Sequence, residues 1–412
     1  MAQNNSSLDE PQAILRHWST LNTSPSRSIE LFDEVRAKCP VVHSGEYDGF
    51  YVPMNYSDVR EVDRNYEVFS AASQITRPTL PRPPLPGLEM DPPQHGEWRA
   101  LYNQAIKGAP VLMEQFTRYE TASRIENFIE RGSCDIVQEL SATVPAIVVC
   151  HLLGVSEKEL ALEIQRRSSS MFSAQGDPDL FGERQEQFAE VVMAELYRRR
   201  EEPRDDFLSY LATVEVEGKP LTEEQYIVLL GAFMGAGHHT TTSAITSMVY
   251  EVLSNDELRS RLLKDPSAIP AAVDETLRLH PPLFGFFRKT TQDTELADTH
   301  IPAGSDVYVN FAGANRDPAM FECPHQFNPD RPGVRRHLSF GAGIHACPGA
   351  PLAKMELRVI LEELLARVPD MSLASSPEFA FDAGEFHSIP SLPVKFTPRA
   401  RQVVEAPQEQ EG

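Results

Sequence analysis

Phe340-Gly341-Ala342-Gly343-Ile344-His345-Ala346-Cys347-Pro348-Gly349 is the stretch on which the reading of this chain turns. A cysteine lies between glycines and immediately before a helical pattern. Gly341 and Gly343 permit backbone conformations closed to other residues, including close approach to a flat ligand. Near a helix start, free amide hydrogens and the helix dipole stabilise a thiolate. The same amides would tune the potential of a metal bound to the sulfur. A lone cysteine is most often a buried structural residue, so the weight of the argument rests on what surrounds it.

On its C-terminal side the pattern predicts a helix over residues 353–368. On its N-terminal side lies Phe327-Asn328-Pro329-Asp330-Arg331. Further back, Glu275-Thr276-Leu277-Arg278 places an acid and a base at i,i+3 on one helix face. That helix is expected over 271–280, stopped by Pro281 and Pro282. Short strands are expected around 286–290, 307–311 and 392–397, with a turn at 302–304. Residues 222–255 read as one long helix, well above the mean of about 11–12 residues.

Inside it runs Gly235-Ala236-Gly237-His238-His239-Thr240-Thr241-Thr242. Glycines and a threonine run suit a helix interior poorly, and broken local rules point to function. The Thr240 hydroxyl can bond back to the Ala236 carbonyl and bend the helix, opening a groove. A zinc site from His238 and His239 is not expected, because neighbouring helical residues point about 100° apart.

From 92 to 206 the pattern is mostly helical, with breaks at 108–110, Gly132 and 176–178. Residues 77–90 contain Pro78, Pro81, Pro83, Pro84 and Pro86, with Leu80, Leu85 and Leu88 beside them. Such a stretch is neither helix nor central strand. It is an irregular loop, either a cover over a binding site or a rigid linker.

Composition narrows the classes. The chain has 412 residues, 41% hydrophobic and 24% charged, with a formal net charge of −22. That balance argues against nucleic-acid binding. The cysteines are Cys39, Cys134, Cys150, Cys323 and Cys347, an odd number with no close pair, as in a reducing compartment. The polar N-terminus lacks a secretory pattern, and no run of about 18 apolar residues would span a membrane. The expectation is a cytoplasmic, monomeric protein with a segment 1–14, one domain over 15–400 and a tail over 401–412.

The cysteine stretch resembles the haem-binding signature of the cytochrome P450 superfamily, Phe-x-x-Gly-x-His-x-Cys-x-Gly, at every signature position. The resemblance extends over roughly residues 15–400 and implies a mainly α fold with a smaller β portion. It implies haem b with Cys347 as the axial ligand, donating electron density that favours O–O cleavage. Phe340 would pack against the sulfur, with Gly341 beside it. Glu275, Arg278 and Arg331 match a structural charge network. His95 and Arg99, at i,i+4 in Asp91-Pro92-Pro93-Gln94-His95-Gly96-Glu97-Trp98-Arg99, match propionate partners, as do Arg288 and His345.

The 235–242 run is similar to the family's Ala-Gly-x-acid-Thr-Thr element. Thr240 matches the alcohol that helps deliver protons during oxygen activation. His239 stands where an acid is usual. Three readings stay open: a relay through a histidine titrating near neutrality, a structural substitution with water as the relay, or altered chemistry.

By family position the substrate meets the proline-rich loop, Phe233, Met234, Gly237, Leu283, Phe284, Phe286, Phe386 and His387. These residues favour a small aromatic or terpenoid substrate, although the phenylalanines could equally be core and His387 a surface residue. No flavin, nicotinamide or iron–sulfur motif is visible, so electrons come from a separate ferredoxin or flavodoxin with its reductase. Arg335, Arg336, Lys354 and Arg358 form either its docking patch or a mixed solvated surface. The implied activity is a monooxygenase that inserts one oxygen atom from O2 by hydroxylation or O-dealkylation. The alternatives are a non-hydroxylating or peroxide-driven haem-thiolate enzyme and a non-catalytic haem binder.

Overall fold

The computed structural model describes residues 15–80, 82–174, 177–382 and 386–407. The expected segment 1–14, Pro81, Gly176 and the end of the tail lie outside these. Residues 401–407 have no regular structure, but Arg401 and Gln402 are bonded to Asn127 and Glu126.

Helices dominate and the sheets are small. The largest sheet has five strands in the order Val41–Ser44, Phe50–Pro53, Asp306–Asn310, Gly285–Thr290 and Phe69–Ser70. Only the Asp306–Asn310 and Phe50–Pro53 pair is parallel. The antiparallel pairing of Asp306–Asn310 with Gly285–Thr290 sets Arg288 opposite Val307 and Phe286 opposite Val309. Side chains alternate along a strand, so Phe286 and Arg288 share one face while Phe287 goes to the other. There Phe287 packs on Phe50 and Tyr308.

The 222–255 region is a continuous helical run with a defect where the glycines and threonines stand. Thr222 opens it with a reciprocal cap to Gln225, and Glu223–Met234 is α-helical. Gly235–His239 forms one wider π turn, and Thr240–Ser254 resumes the α-helix. Packing accounts for the glycines: a Cβ on Gly235 would come 2.5 Å from the Phe172 ring, and one on Gly237 would come 2.9 Å from Val149. The Thr240 hydroxyl donates to the Ala236 carbonyl at 2.6 Å, engaging it within the widened turn.

This run packs against Ala350–Arg367, the helix that follows the cysteine loop, and against Ile269–Leu279. Ile245, Met248, Leu277, Leu357 and Ile360 form the centre of that core. A second core, around Phe188, Leu229 and Tyr226, lies beyond the other side of the π turn. The breaks at Gly108 and Gly132 fall in left-handed backbone, with φ +75° and +70°. A short strand, Ser133–Asp135, interrupts the helical stretch after Gly132 and joins the sheet of Pro393–Lys395. Among the described residues no single helix is long and apolar enough to cross a membrane.

Candidate active site

The cysteine loop is held at both ends. The Cys347 amide donates to the Phe340 carbonyl at 2.7 Å, closing the loop on itself. Gly341 and Gly343 sit at φ +65° and +73°, where a side chain would be strained. Burial pushes the Cys347 thiol up, and the amides of Gly349 and Ala350, with the charge of Arg99, pull against it. The sulfur faces open cavity even though protein surrounds the residue. The Phe340 ring carries the Lys354 ammonium 5.4 Å from its centre.

Behind the loop lies the charge network. Glu275 and Arg278 are fully buried and bidentate, at 2.7 and 2.8 Å. Arg331 reaches Glu275 at 3.2 Å, and the Asn328 amide donates to it at 2.9 Å. Asn315 links this network to the loop: its carbonyl accepts from Arg278, its side-chain oxygen from the Leu338 amide, and its amide donates to Ser339. Nothing in the local sequence marks Asn315, because its partners lie far from it along the chain.

Cys347 lines a cavity of about 300 Å³ together with Phe340, Gly341, His345, Arg99, Arg288, Thr240 and Thr241. The His95 and His345 rings meet edge-on at 4.5 Å, and the Nε2 atom of each is buried without a hydrogen-bond partner. Burial lowers both imidazoles; for His345 the neighbouring Arg288, His95 and Arg99 add to it, down to about 3. Arg99 also donates to the Ala346 carbonyl in the loop. Two guanidinia and the His345 imidazole along one wall, with His95 packed against His345, beside a cysteine sulfur and glycine backbone, make a receptor for a flat, anionic, iron-bearing group. Haem b fits this donor set.

Two acids line the same cavity, and the motifs flagged neither. Asp63 comes from the Tyr56–Arg64 helix. Glu356 lies on the Ala350–Arg367 helix, fully enclosed, with Oε2 unpartnered and its carboxyl raised well above the ordinary value by burial. Glu356 follows the cavity-lining Leu352 and Ala353 by four and three residues. That spacing puts it on their face of the helix and could have revealed it.

His239 is set differently from the expectation of a relay beside Thr240. Its ring stacks on Phe386 at 5.4 Å and meets Phe172 edge-on at 5.0 Å, behind the cavity wall. Burial lowers it to about 4, so it is neutral at neutral pH. His238 bonds the Ala142 carbonyl at 2.9 Å and is lowered to about 3, first by burial.

Of the expected substrate contacts, Phe233, Gly237, Leu283, Phe286 and Phe386 line the cavity, as do Leu80, Leu85 and Leu88 of the proline-rich loop. Leu283 and Phe386 are also bridged through their backbones. Three do not line it. Met234 turns from the cavity to Cys150, with the sulfurs 3.9 Å apart, because Phe233 takes the inward position on the helix. Phe284 packs on Phe381 and His387. His387 is neither exposed nor at the wall: it is fully buried, stacked on Phe379 and His280. Phe172, Phe181 and Phe188 complete the wall from helices that carried no motif.

Of the basic residues near the loop, Arg358 is paired with Glu114 and Glu362. Lys354 and Arg335 converge on Asp274, at 2.6 and 3.4 Å. Arg358 and Lys354 thus have their charge met within the chain, while the Arg335 side chain stays largely exposed.

Comparison with known proteins agrees with this geometry. The cytochrome P450 family model matches residues 179–269 and 264–368. A steroid C26-monooxygenase of Mycolicibacterium smegmatis is 31% identical over 382 residues, covering 90% of this chain and 93% of that protein. Cytochrome P450 109 of Bacillus spizizenii is 30% identical, covering 95% and 98%. Among solved structures, CYP109Q5 from Chondromyces apiculatus superposes with a TM-score of 0.83 at 29% identity, over 94% of this chain and all of that one. CYP109E1 from Bacillus megaterium in complex with testosterone gives 0.78 at 27%, over 89% and 99%. This chain therefore belongs to the cytochrome P450 family and is a monooxygenase whose cofactor is haem b.

Proposed function

We propose that the protein inserts one oxygen atom from O2 into a small apolar substrate, aromatic or terpenoid, by hydroxylation or O-dealkylation. One observation carries the reading: the Cys347 sulfur, the Thr240 hydroxyl and a nearly continuous apolar wall line a single cavity. When bound, haem b supplies the iron at which dioxygen is reduced and cleaved.

Cys347 is the thiolate ligand. Arg99, Arg288, His95 and His345 would hold the haem propionates, and Phe340 and Gly341 would lie beside the haem on the cavity wall. Thr240 stands at the widened turn with its hydroxyl hydrogen donated to the Ala236 carbonyl, which leaves its oxygen lone pairs to accept a hydrogen bond from a group in the cavity. His239 is packed between Phe172 and Phe386 and is uncharged at neutral pH. Phe233, Leu283, Phe286 and Phe386 exclude water and orient the substrate. Electrons come from a ferredoxin or flavodoxin docking near Arg335 and Arg336, on the cysteine-loop side.

Substrate size is argued from volume. About 300 Å³ includes the slot against Cys347, and it sits at the low end of ligand cavities, roughly 300–1,000 Å³. A second reading, an elongated steroid-like substrate, is supported by the relative named for steroid C26 oxidation and by the neighbour holding testosterone. A spin-state titration of the ferric protein separates them. Shifts with methoxyarenes, alkylbenzenes or monoterpenes, followed by oxygenated product with a reductase system, support the small-substrate reading. Shifts with steroids alone overturn it.

A further inference from the structure

Asp63 belongs to none of the motifs, yet it joins three parts of the cofactor wall. It stands near the C-terminal end of Tyr56–Arg64, with its side chain about 2% exposed. One carboxylate oxygen accepts from Arg288 Nη2 at 3.2 Å. The other accepts from the Ala342 amide at 2.6 Å, inside the cysteine loop. That same oxygen lies 3.1 Å from where a Cβ on Gly341 would stand. Two residues on, a Cβ on Gly343 would come 3.0 Å from the Arg64 Cα and 3.3 Å from the Asp63 carbonyl. The helix end and the loop are thus pressed together, with Asp63 bonded across the seam and facing the cavity.

Glu356, the other acid among the described residues of the cavity wall, touches neither the loop amides nor the cationic arms. Asp63 holds both. Arg288 is thus held by an internal anion while it still faces the cavity.

We propose that Asp63 is a positioning residue for the cofactor. Its carboxylate fixes the Gly341–Gly343 arc and aims Arg288, and its negative charge holds the bound iron toward the oxidised state. The proposal rests on the reading of Cys347 as the haem ligand. A fixed anion close to a redox centre in a low-dielectric wall disfavours the extra electron.

Asp63→Asn retains an acceptor for the Ala342 amide and removes the charge. Asp63→Leu removes both, and Asp63→Glu restores the charge. In a spectroelectrochemical titration of the holoprotein, Asp63→Asn is expected to raise the equilibrium constant for ferric-to-ferrous reduction by ~5-fold or more. Asp63→Glu should recover most of the wild-type value. In haem transfer to excess apomyoglobin, Asp63→Leu is expected to lose haem ~10-fold faster, in keeping with the loss of a charge-assisted hydrogen bond and an ion pair.

A reduction equilibrium within twofold of wild type in Asp63→Asn overturns the electrostatic role. Unchanged haem loss in Asp63→Leu overturns the positioning role; if that variant does not fold, Asp63→Asn still decides the charge. Failure of the underlying reading shows separately, as a thiolate-type spectrum that survives Cys347→Ser.

Discussion

Replacing Glu275 with glutamine tests the frame behind the cysteine loop. Glu275 is fully buried and accepts from Arg278 Nε and Nη2, Arg331 Nε and the Asn328 amide. Arg278 is equally buried, with Arg331 barely exposed. The amide keeps the shape but removes the only side-chain anion that both arginines share, and it puts a donor where an acceptor stood. Breaking a buried pair from one side leaves an uncompensated charge and costs about 3–5 kcal/mol. Against a typical stability of about 5–15 kcal/mol, that is a large loss. Through Asn315 the damage should reach Leu338 and Ser339 and loosen the loop. Urea unfolding followed by circular dichroism and by the Soret band should show both signals shifting to lower denaturant. A shift equivalent to less than about 1 kcal/mol would refute the claim that this network carries a buried charge balance.

Other outcomes follow from single residues. Thr240→Ala should consume reductant at a rate near wild type while releasing hydrogen peroxide in place of product, measured by peroxide and product yield per reductant; unchanged coupling removes Thr240 from the proton path. His238 and His239 have folded values of about 3 and 4 against 6.5 in the free side chain. The unfolded chain therefore binds more protons as pH falls below 6.5, and stability falls with it, by about 4 kcal/mol for the pair at pH 5. Denaturation of wild type and the His238→Gln/His239→Gln variant at pH 7.5 and 5 should show this part of the acid loss only in wild type. Phe286→Ala should change small-ligand spin-state affinity about tenfold while Met234→Leu leaves it unaltered. Phe284→Ala should lower stability by about 3–5 kcal/mol, because its ring is core.

The parts legible in the sequence are those whose chemistry is local. The cysteine loop needs glycines at fixed offsets and can be read from spacing; the Glu275–Arg278 pair spans one helical turn, but spacing alone would leave it a surface pair, and its network role comes from the family resemblance. The break in the long helix was visible because Gly235, Gly237 and Thr240 violate helix preference together. What spacing does not carry is which way an apolar side chain faces. Phe284 and Phe286 are both phenylalanines two residues apart, and strand alternation begins only at Gly285. Phe284 therefore escapes that rule and turns to Phe381, far along the chain. His387 looked like a polar tip for substrate, but its place is set by a stack with Phe379 and His280 formed by packing alone. Asp63 and Asn315 work through bonds spanning hundreds of residues or dozens, which no window of sequence reveals. His239 illustrates the converse case. The sequence showed a departure at the acid position, and the structure gives it a physical setting, an aromatic slot between Phe172 and Phe386 that holds the imidazole neutral.

Thiolate ligation by Cys347 is the claim on which everything else depends, and the carbon monoxide spectrum of the reduced protein tests it most directly. Wild type should give the red-shifted Soret band of a thiolate-ligated ferrous carbonyl, and Cys347→Ser should lose it, while substitutions at Cys39, Cys134, Cys150 and Cys323 should keep it. A thiolate-type band that persists in Cys347→Ser would contradict the account at its centre.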